Sequence, residues 1–369
     1  MRHVPIECVR NGSYLGKTIY DNTGRVLLKS GVRLTESLIK RIKASGIFSI
    51  YIVDEYSEGE IEDIIKPELR QKSILLIKET FNNIERLNQL TDCINTSGST
   101  VIKMDHEYLE SITEISEELL DNILANKNLL VSLVDIKSMD NYTYQHSVNV
   151  AVISIVLGIS LKLPKQDLLD LCMGALLHDI GKVFVPGGII TKEGPLTPDE
   201  YELIKKHPQN GYEYLSNQYS IKSSSKVAIL QHHERVDGLG YPDGLEGSKI
   251  NKLAKIVAIA DVYDALTSDR CYRRALCASD ALEYIMANAG SIFDFEMAAV
   301  FSRVIVPFPS GTIVKLSNGN IGIVKETLPN YPLRPTVKIL KSSDKSSEGK
   351  LINLIDELSL VISSVEYNV

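Results

Sequence analysis

Five of the chain's seven histidines fall between positions 146 and 233, and the spacing of these five restricts the fold more than any other feature. They are His146, His178, His207, His232 and His233; His178 is followed directly by Asp179, and His232 by His233. Further on, Asp261 closes the apolar run Ile256-Val257-Ala258-Ile259-Ala260. A carboxylate in such a run is costly to bury unless it is paired or bound to a metal. Imidazole and carboxylate together suit a first-row divalent ion such as iron, manganese, zinc or nickel better than calcium or magnesium alone. A fold for this chain must therefore bring donors spread over more than a hundred residues to one place.

Local signals say how. On a helix, neighbouring residues point about 100° apart, so His178 and Asp179 cannot grip one ion from the same direction. They suit two adjacent ions if the aspartate uses both oxygens. The same constraint places His232 or His233 where a helix loosens or ends. Thr197-Pro198-Asp199-Glu200 is a strong helix start, with a capping threonine, an early proline and two acids on the dipole. Pro208 disfavours the α conformation at His207, which puts that histidine at a bend. Pro186-Gly187-Gly188 and Glu193-Gly194-Pro195 predict a loop between the two halves of the site. Lys182, three residues after Asp179, projects from the same turn and offers a cation to a phosphate or a leaving oxygen.

Around this centre the chain is expected to be mainly α. The predicted parts are a small α/β module over 1–54, a helical connector over 55–133, a catalytic helical domain over 134–306 and a β-rich appendage over 307–369. In the first, Lys17–Tyr20 and Arg25–Leu28 flank a turn at Asp21-Asn22-Thr23-Gly24, Thr35 caps a helix to about Lys43, and Phe48–Val53 is a strand. In the connector, Ile74, Ile77, Phe81, Ile84 and Leu87 mark one face of a helix, Asn95–Thr100 breaks it, and a second helix runs from about His106 to Ala125. In the appendage, Gly311–Leu316 and Ile321–Lys325 flank an Asn318-Gly319 turn, with Thr336–Leu340 as a third strand.

Composition narrows the class. At 369 residues, 44% hydrophobic and 24% charged, the chain is globular and too long for one ordinary core. No apolar run approaches the ~20 residues that span a bilayer, and the N-terminus lacks a signal-peptide core, so no membrane association and a cytoplasmic location are expected. The five cysteines are scattered without a Cys-x-x-Cys pair, as in a reducing compartment. A net charge of −7 gives no surface for a nucleic acid polymer. An anionic nucleotide would have to be held by local positive charge.

The motifs resemble the HD-GYP family, a subgroup of HD-superfamily phosphohydrolases that degrade cyclic di-GMP. The likeness spans Asp140 to Ala299. It is carried in order by His146-Ser147-Val148-Asn149-Val150, His178-Asp179-Ile180-Gly181-Lys182, His207-Pro208, the run from His232-His233-Glu234 through Gly240-Tyr241-Pro242, and Asp261 through Arg270. It implies an all-helical metallophosphohydrolase domain with two divalent ions, iron or manganese. His146, His178 and Asp261 would surround one ion, His207, His232 and His233 the other, with Asp179 bridging. It further implies Asp179 and Lys182 as catalytic residues, Lys182, Arg270 and Arg273 as phosphate contacts, and Tyr241 as a contact near the guanine or the sugar-phosphate.

The sequence departs from the family in that Cys271 stands where a proline is usual. Gly187-Gly188 replace bulkier residues. Tyr142 lies four residues before His146, where some members carry a glutamate that helps hold a third metal; two ions are therefore expected here. The implied reaction opens cyclic di-GMP to the linear dinucleotide and on to GMP. The alternatives are another cyclic dinucleotide as substrate, or a receptor that binds cyclic di-GMP without hydrolysis. The N-terminal module is read as the place where a second copy or a signalling protein would bind.

Overall fold

The structure is a computed structural model that describes residues 1–21, 23–57, 63–93, 98–126, 142–192, 194–268, 275–328 and 330–367. The chain opens with strands β1 (Arg2–Pro5), β2 (Tyr14–Leu15), β3 (Ile19–Tyr20) and β4 (Val26–Leu28), then helix α1 (Glu36–Ala44) and strand β5 (Ser49–Val53). An antiparallel sheet is ordered β1-β5-β2, and β3 and β4 form a hairpin. Asp21 closes the hairpin turn by accepting from the amides of Thr23 and Arg25, while Gly24 takes a φ of +77°. Thr35 caps α1 by accepting from the Leu38 amide. Val4, Leu15, Ile42, Ile50 and Ile52 make the small core between sheet and helix.

Two long helices follow, α2 (Pro67–Cys93) and α3 (Gly98–Ala125). The second begins eight residues earlier than the sequence suggests, so that Gly98-Ser99-Thr100 start the helix rather than interrupt it. Ile74, Ile77, Phe81 and Ile84 are buried, as are Leu109, Ile112, Ile115 and Leu119 on α3. These side chains join the same apolar core as the helices that come next.

The central element is α4 (Tyr142–Ser160), whose residues 146–158 are all buried. A helix that is apolar all round belongs inside a bundle. It is surrounded by α2, α3, α5 (Lys165–Leu177), α10 (Lys252–Leu266) and α12 (Phe295–Val304). Between α5 and α10 lie the short helix α6 (Gly187–Ile190), then α7 (Pro198–Ile204), α8 (His207–Leu215) and α9 (Ser223–Gln231); α11 (Ala278–Ala287) precedes α12. The stretch after Pro186, expected as loop, makes one helical turn because the Gly187 carbonyl accepts both the amide and the hydroxyl of Thr191. Among the described residues no helix is long and apolar enough to cross a membrane.

The C-terminal part is an antiparallel sheet of β6 (Ile313–Leu316), β7 (Ile321–Glu326), β8 (Thr336–Lys341), β9 (Leu351–Asn353) and β10 (Ile362–Glu366), ordered β10-β6-β7-β8-β9. Gly319, with a φ of +85°, turns β6 into β7. The two edge strands β9 and β10 are additional to the sequence reading, since they are short, only partly buried and carry little alternation. The chain ends meet: the Arg2 guanidinium donates to the Tyr367 carbonyl at 3.2 Å and pairs with Asp54 at 2.7 Å.

Candidate metal centre

The histidines converge because they sit at matching helix ends. His146 lies in the second turn of α4, His178 follows the last residue of α5, His207 opens α8, and His232 follows the last residue of α9. Asp261 projects from α10. His178-Asp179 is therefore not on a continuous helix: α5 stops at Leu177, and Asp179 (φ −96°, ψ 4°) turns into a tight 3-10 turn over Ile180–Phe184. That turn lies against the start of α8, where a Cβ at Gly181 would overlap the His207 carbonyl. Only glycine allows this approach, which sets Asp179 beside His207.

Four rings are oriented from behind. Nδ1 of His178, His207 and His232 lies 2.7, 2.8 and 2.7 Å from the carbonyls of Ala175, Ile204 and Ile229, each three residues earlier. A carbonyl only accepts, so each Nδ1 carries the proton and each Nε2 turns a lone pair inward. His146 Nδ1 instead meets the buried Asp264 carboxylate at 2.7 Å. His233 differs in presenting Nδ1, which lies 3.9 Å from Asp261 Oδ2.

The inward atoms form one cluster. Asp179 Oδ1 lies 3.4 Å from His207 Nε2, and Asp179 Oδ2 lies 3.5 Å from His178 Nε2 and 2.6 Å from Lys182 Nζ. Asp261 Oδ1 lies 3.0 Å from His146 Nε2 and 4.0 Å from His178 Nε2. Three sets place their donor atoms within 4.8 Å of one another: His207, His232 and His233; His146, His178 and Asp179; and His178, His232 and Asp261.

This donor set fits a cation. His207 Nε2 and His232 Nε2 face each other at 3.2 Å although both protons are already committed to carbonyls. Two lone pairs at that distance repel unless a positive charge lies between them. His178 Nε2 is buried without a hydrogen-bond partner, which is costly for a polar atom. Such orphaned, inward-facing nitrogens are what a divalent ion would satisfy.

The electrostatics agree. Burial lowers the His207 and His233 imidazoles to about 3 and about 4 despite nearby aspartates, and also lowers His178 and His232. These rings are neutral near pH 7, as metal ligands must be. Burial also acts against His146, but the hydrogen bonds it donates to the Asp261 and Asp264 carboxylates outweigh it and raise the ring to about 9. Burial pushes the Asp179 carboxyl up, yet Lys182 and the surrounding histidines hold it well below the ordinary value. Asp261 behaves likewise through His146 and His233.

Tyr241 is brought over this cluster. A buried Glu234 accepts from the amides of Asp243 (2.8 Å) and Leu245 (2.9 Å), pinning the Gly-Tyr-Pro loop to the residue after His233. The loop folds so tightly that a Cβ at Gly240 would overlap the backbone of Glu234 and Arg235. Arg270 and Arg273, expected as phosphate contacts, lie outside the described residues, as do Cys271, Asp140 and the side chain of Tyr142.

Sequence reasoning missed Asp264, Asn149 and Glu234. Asp264 and Asn149 each stand three residues beyond a candidate ligand, Asp261 and His146, so helical spacing was the available signal.

Residues 118–297 match the HD domain family. The candidate site thus lies within a stretch that matches the HD domain family. Residues 313–367 match a KOW domain associated with HD domains, and the HD-GYP resemblance of the motifs stands. The chain is 38% identical over 231 residues to the cyclic di-GMP phosphodiesterase PA4108 of Pseudomonas aeruginosa, covering 63% of this chain and 56% of that protein. It is 32% identical over 237 residues to the cyclic di-GMP phosphodiesterase response regulator RpfG of Xanthomonas campestris, covering 64% and 59%. A 3'3'-cGAMP-specific phosphodiesterase of Vibrio cholerae is 34% identical over 177 residues, covering 48% and 38%. The match to PA4108 and RpfG thus spans a little over half the length of each relative.

Proposed function

We propose that this chain hydrolyses a phosphodiester bond of cyclic di-GMP at a centre of two divalent ions, giving the linear dinucleotide and then GMP. The observation that carries the reading is the convergence of inward imidazole lone pairs on two carboxylates, with His207 and His232 facing at 3.2 Å. His146, His178 and Asp261 would hold one ion, and His207, His232 and His233 the other, with an oxygen of Asp179 directed to each. Iron or manganese suits this mixed nitrogen and oxygen set. When bound, such ions supply Lewis-acid stabilisation of phosphoryl oxygens and a water of lowered pKa.

The chain's own residues do the rest. Asp264 and the three backbone carbonyls fix the ring tautomers, so the ligand atoms need no reorganisation. Lys182, one-third exposed and paired with Asp179, places a cation at the rim of the cluster; we assign it to a phosphate oxygen or the leaving oxygen. Tyr241 offers a ring face for the guanine or the adjoining sugar-phosphate, and Arg270 and Arg273 are assigned to the phosphates. This chemistry is placed in part 134–306, with 1–54, 55–133 and 307–369 as regulatory module, connector and appendage. The N-terminal module remains the proposed contact for a second copy or a signalling protein, and the protein is placed in the cytoplasm.

Turnover of cyclic di-GMP by the full chain, purified anaerobically with metal analysis of the same sample, tests the reading. Products should appear in proportion to metal content and vanish with chelator. Tight binding of cyclic di-GMP by metal-replete protein without product would instead make it a receptor. The Vibrio cholerae relative named for cyclic GMP-AMP motivates one competing substrate; a higher kcat/KM for that dinucleotide than for cyclic di-GMP would assign it.

A further inference from the structure

We propose that Arg70, on connector helix α2, is a positioning residue that holds His146 in its metal-binding orientation through Asn149 and Asp264. The inference rests on His146 being a metal ligand. Arg70 Nη1 donates to Asn149 Oδ1 at 2.6 Å, Asn149 Nδ2 donates to Asp264 Oδ1 at 3.0 Å, and Asp264 Oδ2 meets His146 Nδ1 at 2.7 Å. Asn149, Asp264 and His146 are at most 4% exposed.

The series has a direction, and Arg70 sets it. A guanidinium only donates, so the Asn149 oxygen must face it. The amide nitrogen is then left for Asp264, whose other oxygen takes the His146 proton. His146 Nε2 is thereby freed to point at Asp261, 3.0 Å away. Without the cation, the Asn149 amide loses the partner that decides which end faces the carboxylate. Partners behind a metal-ligating histidine fix its tautomer and ring angle, and losing one weakens metal binding roughly 10- to 100-fold.

The helix that carries Arg70 is itself held from both sides. Asn82 and Phe81 of α2 meet Tyr144 of α4, by a 3.2 Å hydrogen bond and an edge-on ring contact. The N-terminal module touches the same segment on either side of Arg70. Lys17 pairs with Asp63 at 2.5 Å, and Gly24 of the β3–β4 turn packs against Leu75. The placement of α2, to which that module contributes, is thus part of what defines the metal site.

The test uses the full chain as wild type, Arg70→Met, Arg70→Lys and His146→Ala. Manganese affinity and stoichiometry are measured by titration calorimetry, with the thermal midpoint of each metal-free protein. Arg70→Met should weaken one of two manganese ions by roughly 10-fold, leaving the other ion and the metal-free midpoint unchanged. Arg70→Lys, which keeps a donor, should recover part of the affinity. Wild-type manganese binding by Arg70→Met overturns the inference. So does a variant that loses both ions equally together with thermal stability, since that marks a merely structural role. If His146→Ala also binds both ions as wild type does, the ligand reading of His146 has failed; if it loses one while Arg70→Met loses none, only the relay has.

Discussion

The ring of Tyr241 stacks on that of His233, with centroids 4.7 Å apart and planes 29° from parallel. Tyr241 therefore covers the one candidate ligand that is 25% exposed, while the ammonium of Lys205 stands 5.6 Å from the centre of the tyrosine ring. In the proposed reaction, a base or sugar-phosphate arriving over the cluster would meet this ring first. Tyr241→Phe should keep the stack and nearly all affinity. Tyr241→Ala should raise KM by roughly 2- to 12-fold, the equivalent of about 0.5–1.5 kcal/mol of aromatic contact, with metal content unchanged. Steady-state kinetics on metal-replete protein decide it, and an unaltered KM in the alanine variant would remove Tyr241 from the substrate path.

Asp179 directs one oxygen at His207 and the other at His178 and Lys182. Asp179→Asn keeps the shape but replaces one oxygen with a donor and removes the charge. It should abolish hydrolysis and reduce bound metal while helical content by circular dichroism stays as in wild type. Full metal content with retained turnover would refute the bridging role.

How much of this was legible in the sequence depends on the range of the interaction. The Thr35 cap, the Asp21 turn and the Thr197 helix start are local, and the structure has each of them as read. The mainly helical fold was likewise readable, because the apolar pattern between His146 and Ala260 dictates it. The start of α3 was misplaced because Gly98-Ser99-Thr100 has weak helical propensity that context overrides. The partly buried edge strands β9 and β10 form by pairing with strands already present, and carry no strong pattern of their own. For the site, residue types marked its members, but not the partners behind them. Glu234 looks like any acid in a loop, and Arg70 like any surface cation on an amphipathic helix; their value comes from contacts 9 to 79 residues away.

Glu234 supplies the next expectation. Each carboxylate oxygen accepts one loop amide, so Glu234→Gln would set an NH2 group against the amide of Asp243 or of Leu245. An unsatisfied buried donor costs about 1–3 kcal/mol, which the loop can relieve by releasing Tyr241. The glutamine variant should show a raised KM and faster backbone hydrogen exchange over 238–246 than wild type, with the metals still bound. Exchange at the wild-type rate across that loop would show that Glu234 is not its anchor.

Stability should respond to pH in opposite ways on the two sides of neutrality, and metal should abolish one of them. In the unfolded chain a histidine titrates near 6.5. His207 and His233 are lowered to about 3 and about 4 in the fold, so between those values and about 6.5 the unfolded state binds more protons. Their contribution is thus present above about 6.5 and is lost as pH falls toward 4, at up to about 1.4 kcal/mol per group per pH unit. His146, raised to about 9, has the opposite sign: its contribution is complete below about 6.5 and is lost as pH rises toward 9. A bound ion requires the neutral ring, so loading removes the His146 proton and with it the alkaline branch. Thermal midpoints from pH 4 to 9 with chelator should therefore fall on both sides of about 6.5, whereas manganese-loaded protein should show no loss between 6.5 and 9. A metal-free midpoint that stays level or rises on acidification from 6.5 to 4 would show that these histidines are not held neutral in the fold.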